Sequence, residues 1–120
     1  MKQEEHNMQV ACVCWFRMQY SGLSALLFAV PNGGRRDRVT GAKLKAEGAL
    51  AGVADMLLLC PSSRYHGLCI EFKTQTGRQS EAQKTFQRKV EGAGYAYCVV
   101  RSIGDFINVV AAYFRGEAIG

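Results

Sequence analysis

Long apolar runs are missing from this chain of 120 residues. Its longest apolar stretches are about strand length, well short of the roughly 20 residues a membrane span needs, so no membrane partner is expected. The first residues, Met1-Lys2-Gln3-Glu4-Glu5-His6, contain no apolar signal segment, which points to an intracellular protein. No Cys-x-x-Cys pair occurs, and the five cysteines (Cys12, Cys14, Cys60, Cys69 and Cys98) are odd in number and lie mostly in apolar runs. Buried, reduced thiols in a reducing compartment follow, rather than a disulfide framework. His6 and His66 are isolated and stand at no ligand spacing, which argues against zinc. Repeats, low-complexity tracts and linkers are absent as well, so 1–120 reads as a single domain. Nothing resembles a dedicated base-reading motif.

The chain does have a basic surplus, with a formal net charge of +5. Net charge alone is weak evidence for a polyanionic partner, but its distribution says more. Arg35, Arg36, Arg38, Lys43 and Lys45 fall close together, opposed there only by Asp37, and they follow Asn32-Gly33-Gly34. Such a loop suits a phosphate backbone. A solvated charged loop is the alternative reading of the same residues.

Periodicity gives the elements. Met8, Ala11, Cys12 and Trp15 recur at helical spacing, which predicts an amphipathic helix over residues 4–19. Glu5 and Gln9 share a face of it, one turn apart. Ser21-Gly22 ends that helix. Residues 26–30 predict a short buried strand, stopped by Pro31-Asn32-Gly33-Gly34. A short helix over 41–50 precedes strands over 54–60 and 68–74, whose short connection implies an antiparallel pair. Residues 81–91 carry the clearest helix, with Ser80 as N-cap, Gln83 closing a capping box, and Ala82, Phe86 and Val90 as its apolar line. A strand over 95–100 follows, and Ser102-x-x-Asp105 caps a last helix burying Phe106, Val109, Val110 and Tyr113. The order α, β, α, β, β, α, β, α predicts an α/β fold. It is a mixed β-sheet of about four strands flanked by helices, with the 81–91 helix crossing between parallel strands.

Charge inside apolar strands is the sharpest signal. Asp55 directly precedes Met56-Leu57-Leu58-Leu59, and Leu68-Cys69-Ile70-Glu71-Phe72-Lys73 carries an acid and a base. Alternation puts Glu71 and Lys73 on one strand face, with Ile70 and Phe72 on the other. If the strands pair, Asp55 joins them at one end of the sheet. Two carboxylates suit Mg²⁺, with water and substrate phosphate completing the shell, and Lys73 can stabilise an attacking hydroxide or a charged transition state. Gly52 lets the backbone turn into Asp55. The bland readings stand beside these. Glu71 and Lys73 at i, i+2 also make an edge-strand ion pair, Asp55 can simply open a strand, Gln83 can be only a cap, and Glu5 can serve the helix dipole. Charges flanked by apolar residues on both sides favour function, because burying them is costly.

The set Glu5-x-x-x-Gln9, Pro31-Asn32-Gly33-Gly34-x-Arg36, Lys45-x-Glu47-Gly48, Gly52-x-x-Asp55, Glu71-Phe72-Lys73 and Ser80-x-x-Gln83 resembles the virus-type replication-repair nuclease (VRR-NUC) domain. That domain belongs to the PD-(D/E)XK superfamily, and the resemblance is to its stand-alone phage and bacterial type, over roughly residues 4 to 100. It implies a restriction-endonuclease-like α/β core and DNA cleavage dependent on Mg²⁺ or Mn²⁺. It also implies roles at the matching positions. Asp55 and Glu71 would be metal ligands, and Lys73 the charged group near the nucleophilic water. Gln83 would orient the site, and Glu5 would be an additional carboxylate, with Glu4 the fallback for a register off by one. The family usually has proline before the first acid, where this chain has Ala54; proline would stiffen the strand there but is not a ligand, so the site is expected to survive.

The leading expectation is a metal-dependent, structure-selective DNA endonuclease. It would act on branched DNA, like a Holliday-junction resolvase, as a homodimer in the cytoplasm of a bacterial cell or phage-infected host. The basic residues at 32–45 would hold phosphates, positioning DNA without reading its sequence. The alternatives are a nuclease on flaps, ends or duplex, and a non-catalytic DNA-binding module. Whether the last helix completes the core or makes the dimer is open in the sequence.

Overall fold

The computed structural model describes residues 3–31 and 38–120, without the side chains of Arg38 and Val39. In chain order the elements are α1 (Gln3–Gln19), a 3₁₀ helix (Ser21–Leu26), β1 (Leu27–Ala29), α2 (Arg38–Ala46), β2 (Met56–Leu58), β3 (Leu68–Phe72), α3 (Glu81–Gly92), β4 (Ala96–Val100) and α4 (Ile103–Phe114). The four strands form one mixed sheet in the order β1-β2-β3-β4. The first three are antiparallel neighbours, and β4 runs parallel to β3. The 81–91 pattern thus delivers its predicted crossover: α3 carries the chain from β3 to its parallel partner.

Two cores sandwich β3, which is buried at every position. Leu68, Ile70 and Phe72 face Cys12 and Phe16 of α1 and Phe106, Val110 and Tyr113 of α4. On the opposite face Cys69 packs with Ala54 and Tyr97, under Phe86 and Val90 of α3. A strand covered on both sides reads as a near-continuous apolar run, and Glu71 interrupts it. The last helix completes the core, since Phe106, Val110 and Tyr113 are fully buried.

Several local expectations shift. The 26–30 segment was predicted to be a buried strand, but only Leu27 is buried, while Phe28 and Ala29 are exposed. Phe28 and Ala29 join neither apolar core, unlike the residues of β4, the sheet's other edge. Ser21–Leu26 winds into a 3₁₀ helix, a connector that apolar periodicity does not announce. The buried positions of α1 are Cys12 and Phe16, with Met8 and Trp15 only partly buried against the core. The α2 helix begins three residues before the predicted 41 and stops short of Gly48, whose φ of 103° lies in the left-handed region. The strand predicted over 54–60 narrows to Met56–Leu58.

Two local devices hold the sheet's site end in place. Ser80 accepts from the Gln83 N–H while Gln83 Oε1 accepts from the Ser80 N–H, the full capping box of α3. Gly52, at φ 84°, passes so close to this first turn that a Cβ would sit 2.4 Å from the Ala82 carbonyl carbon. The turn before Asp55 is therefore pressed against the start of α3. Replacing Gly52 by alanine combines a left-handed backbone penalty of about 1–3 kcal/mol with that clash. In denaturant titrations Gly52→Ala is expected to lose at least this much stability. Gly22→Ala, where a Cβ meets nothing within 4 Å, is expected to stay within about 0.5 kcal/mol of wild type.

Candidate active site

The β2–β3 register pairs Met56 with Ile70, so one further step sets Asp55 opposite Glu71. The ladder is continued there by side chain rather than backbone. The Phe72 N–H donates to Asp55 Oδ2 at 2.7 Å, while the Asp55 carbonyl accepts from the Val30 N–H at 2.8 Å. Asp55 is thus held from β3 on one side and from the end of β1 on the other. Burial raises its pKa above the usual carboxylate range; the Phe72 N–H and Lys73 oppose the rise, and the charges of Glu71 and Glu5 add to it.

Glu71 is completely buried. Its Oε1 accepts from the Tyr97 hydroxyl and from Gln79 Nε2 at 3.2 Å. Its Oε2 lies 3.6 Å from Lys73 Nζ and has no hydrogen-bond partner. Lys73 shares the Glu71 face, as alternation predicted, and its N–H donates to the Val100 carbonyl, extending the parallel ladder past Phe72. Burial and the Glu71 carboxylate push the Tyr97 phenol well above its usual range, so it keeps its proton and donates.

The predicted residues divide by what they touch. Asp55, Glu71 and Lys73 converge. Glu5, in the first turn of α1, lies close enough to act on Asp55 through its charge. No three His, Cys, Asp or Glu side chains among the described residues gather into a metal-holding group, so Glu5 makes no ligand trio with the other two acids. Glu4 is exposed in the same turn. Gln83 directs its side-chain oxygen into the cap, not at Glu71. Lys43 and Lys45 are exposed on the last turn of α2. Arg38 opens that helix; Asn32, Gly33, Gly34, Arg35 and Arg36 lie outside the described residues.

Tyr97 and Gln79, the direct partners of Glu71, were not found from sequence. Tyr97 carried a faint signal, being a hydroxyl in an apolar strand and on the face that parallel pairing sets beside Cys69. Gln79 carried none, because it reaches Glu71 from the loop before α3. That loop is fastened by Arg101, whose guanidinium donates to the carbonyls of Thr74 at 2.6 Å and Gly77 at 2.8 Å.

A cleft of about 450 Å³ opens beside the acids, with Asp55, Gln9, Arg17, Val30 and Pro31 on its walls. Gln9 Oε1 is buried there without a partner. A second cleft of about 540 Å³, walled by Lys45 and Val53, shares Val30 and Pro31 with the first. Burial pushes the Cys69 thiol up to about 11 and Cys12 up to about 12, leaving both as inert core groups; Cys14, expected to be buried, is instead exposed and lines the first cleft. All five cysteines are free.

A solved structure described as a VRR_NUC domain protein superposes on this chain with a TM-score of 0.83, at 24% identity, covering 100% of this chain and 95% of that one. The chain has the fold of a VRR-NUC domain. The restriction-endonuclease-like sheet expected from the resemblance is therefore the fold observed. No family model and no curated protein matches the sequence. No helix among the described residues is long and apolar enough to cross a membrane.

The raised pKa of Asp55 fixes a sign. A carboxyl that binds its proton more tightly when folded loses stability as pH rises from its unfolded pKa through its folded one. Above that window the buried charge is a standing penalty. Asp55→Asn keeps an oxygen for the Phe72 N–H and removes the charge. It is expected to raise the melting temperature by a few degrees at pH 7 and to converge with wild type at acidic pH, as followed by thermal denaturation across pH.

Proposed function

We propose that the protein is a metal-dependent, structure-selective DNA endonuclease that hydrolyses phosphodiester bonds. The observation that carries this reading is Glu71 Oε2, a buried carboxylate oxygen with no hydrogen-bond partner, next to Asp55 and Lys73. An acceptor left open inside a packed sheet costs free energy that an apolar residue would avoid, and a hard cation satisfies it. Two carboxylates are an ordinary protein contribution to a Mg²⁺ site, which takes the rest of its shell from water and phosphate. The residues present therefore fit Mg²⁺ or Mn²⁺, with Asp55 and Glu71 as its holders. When bound, the ion offsets phosphate charge and lowers the pKa of a coordinated water.

The chain's own groups do the rest. Lys73 stabilises charge that develops at the attacked phosphate. Glu5 adds a carboxylate from α1 that biases the site toward cations. Gln83 fixes the start of α3 and, through the Gly52 contact, the turn that delivers Asp55. Asn32, Gly33, Gly34, Arg35, Arg36, Arg38, Lys43 and Lys45 would hold phosphates, which positions DNA without reading bases. We further propose branched DNA as the substrate and a homodimer as the acting species, because two-fold symmetry sets paired sites on opposite strands. Action inside a cell, in a bacterium or a phage-infected host, accords with five reduced thiols.

The test is cleavage of a labelled four-way junction against matched flap and duplex DNA, with Mg²⁺, Mn²⁺ or EDTA. Symmetric, metal-dependent nicks on the junction are expected, with activity abolished in Glu71→Ala and reduced roughly 100- to 1,000-fold in Lys73→Ala. Cleavage of flap or duplex alone would keep the nuclease and discard the junction. Tight binding with no cleavage anywhere would leave a DNA-binding module. Light scattering should return about twice 13.2 kDa; a monomer at micromolar concentration would remove the paired-nick mechanism.

A further inference from the structure

We infer that Tyr97 and Gln79 are positioning residues that clamp one oxygen of Glu71 and thereby present the other as a single-point ligand to the divalent cation. The inference rests on the nuclease reading above and assigns new residues to it. A carboxylate free to rotate offers a cation one oxygen or two. Here Oε1 is already engaged by two donors, the Tyr97 hydroxyl and Gln79 Nε2, while Oε2 has no hydrogen-bond partner and stands 3.6 Å from Lys73 Nζ. The asymmetry is built by the fold. Parallel pairing sets Tyr97 opposite Cys69, two residues from Glu71 on the same face, and a long aromatic side chain spans that diagonal. Phe86 packs edge-on against the Tyr97 ring, which fixes the direction of its hydroxyl. Gln79 is oriented from behind: its Nε2 also donates to Gln87 Oε1 at 2.9 Å, and Gln87 donates to Glu91. A chain of amides thus runs from the surface of α3 to the buried carboxylate, and Arg101 pins the loop that carries Gln79.

Partners that orient a ligand without touching the metal set its affinity, and losing one typically weakens binding about 10- to 100-fold. Mn²⁺ titration followed by the resonance of the free ion would measure this on wild type, Tyr97→Phe, Gln79→Ala and Glu71→Ala, with thermal unfolding of each as the folding control. Tyr97→Phe and Gln79→Ala are expected to stay folded and bind Mn²⁺ at least 10-fold more weakly, while Glu71→Ala loses the site. Their cleavage rates should recover toward wild type at saturating Mn²⁺, with the metal midpoint moved by the same factor; a general loosening of the core would lower the plateau instead. If Tyr97→Phe fails to fold, the half-buried Gln79 carries the test. Unchanged Mn²⁺ affinity and midpoint in the folded variants would overturn the clamp and leave the nuclease reading intact. Wild type that binds no Mn²⁺ and cleaves without metal would overturn that reading, and the clamp with it.

Discussion

A carboxylate in the most buried strand of a sheet is unstable unless its surroundings compensate it, since its desolvation amounts to several kcal/mol. Glu71 is that carboxylate, and much of this fold serves to accommodate it. The parallel partner β4 supplies the Tyr97 hydroxyl, the loop before α3 supplies Gln79, and β3 itself supplies Lys73. Hydrogen bonding stops at Oε1, and Oε2 has only the Lys73 ammonium, 3.6 Å away. On the proposed reading, that open hydrogen-bonding position is the one a cation would take.

The second acid is placed by the same logic from another direction. Asp55 takes up the Phe72 N–H just before β2 begins, so it serves both to open the strand and as a charged group. Its position is transmitted through backbone contacts. Gly52 allows the turn, α3 presses on Gly52, and the capping box fixes where α3 begins. Removing the Cβ at one residue therefore lets helix and acid approach from opposite sides of the sheet's end.

Much of this was legible in the sequence, for definable reasons. The capping box, the crossover helix and the faces of Glu71 and Lys73 depend on spacings of two to four residues, and such short-range rules survive folding. The antiparallel meeting of Asp55 with Glu71 followed from a short connection. What was lost depended on distant partners. Nothing within residues 26–30 says that β1 will be an edge with one face open. The contacts of Tyr97 and Gln79 with Glu71 close only when β4 docks in register. Gln83 shows the converse: its local role was readable, and the structure directs its oxygen to that role.

The orphaned oxygens sharpen the distinction between catalysis and mere DNA binding. Phosphate binding needs donors at the surface, as on α2, and gains nothing from a sealed carboxylate, whose charge repels DNA. A binding module derived from this fold would be stabilised by replacing Glu71 with an apolar residue of similar volume. It would likewise lose nothing by neutralising Asp55. The chain instead keeps both acids, and burial penalises the charge of Asp55, with Glu71 and Glu5 close enough to increase that penalty. Three negative charges converging beside a basic surface are electrostatically unfavourable in the protein alone. On the proposed reading, a cation and a phosphate sharing the site would offset them, so the arrangement would be complementary to the loaded complex rather than to the free protein.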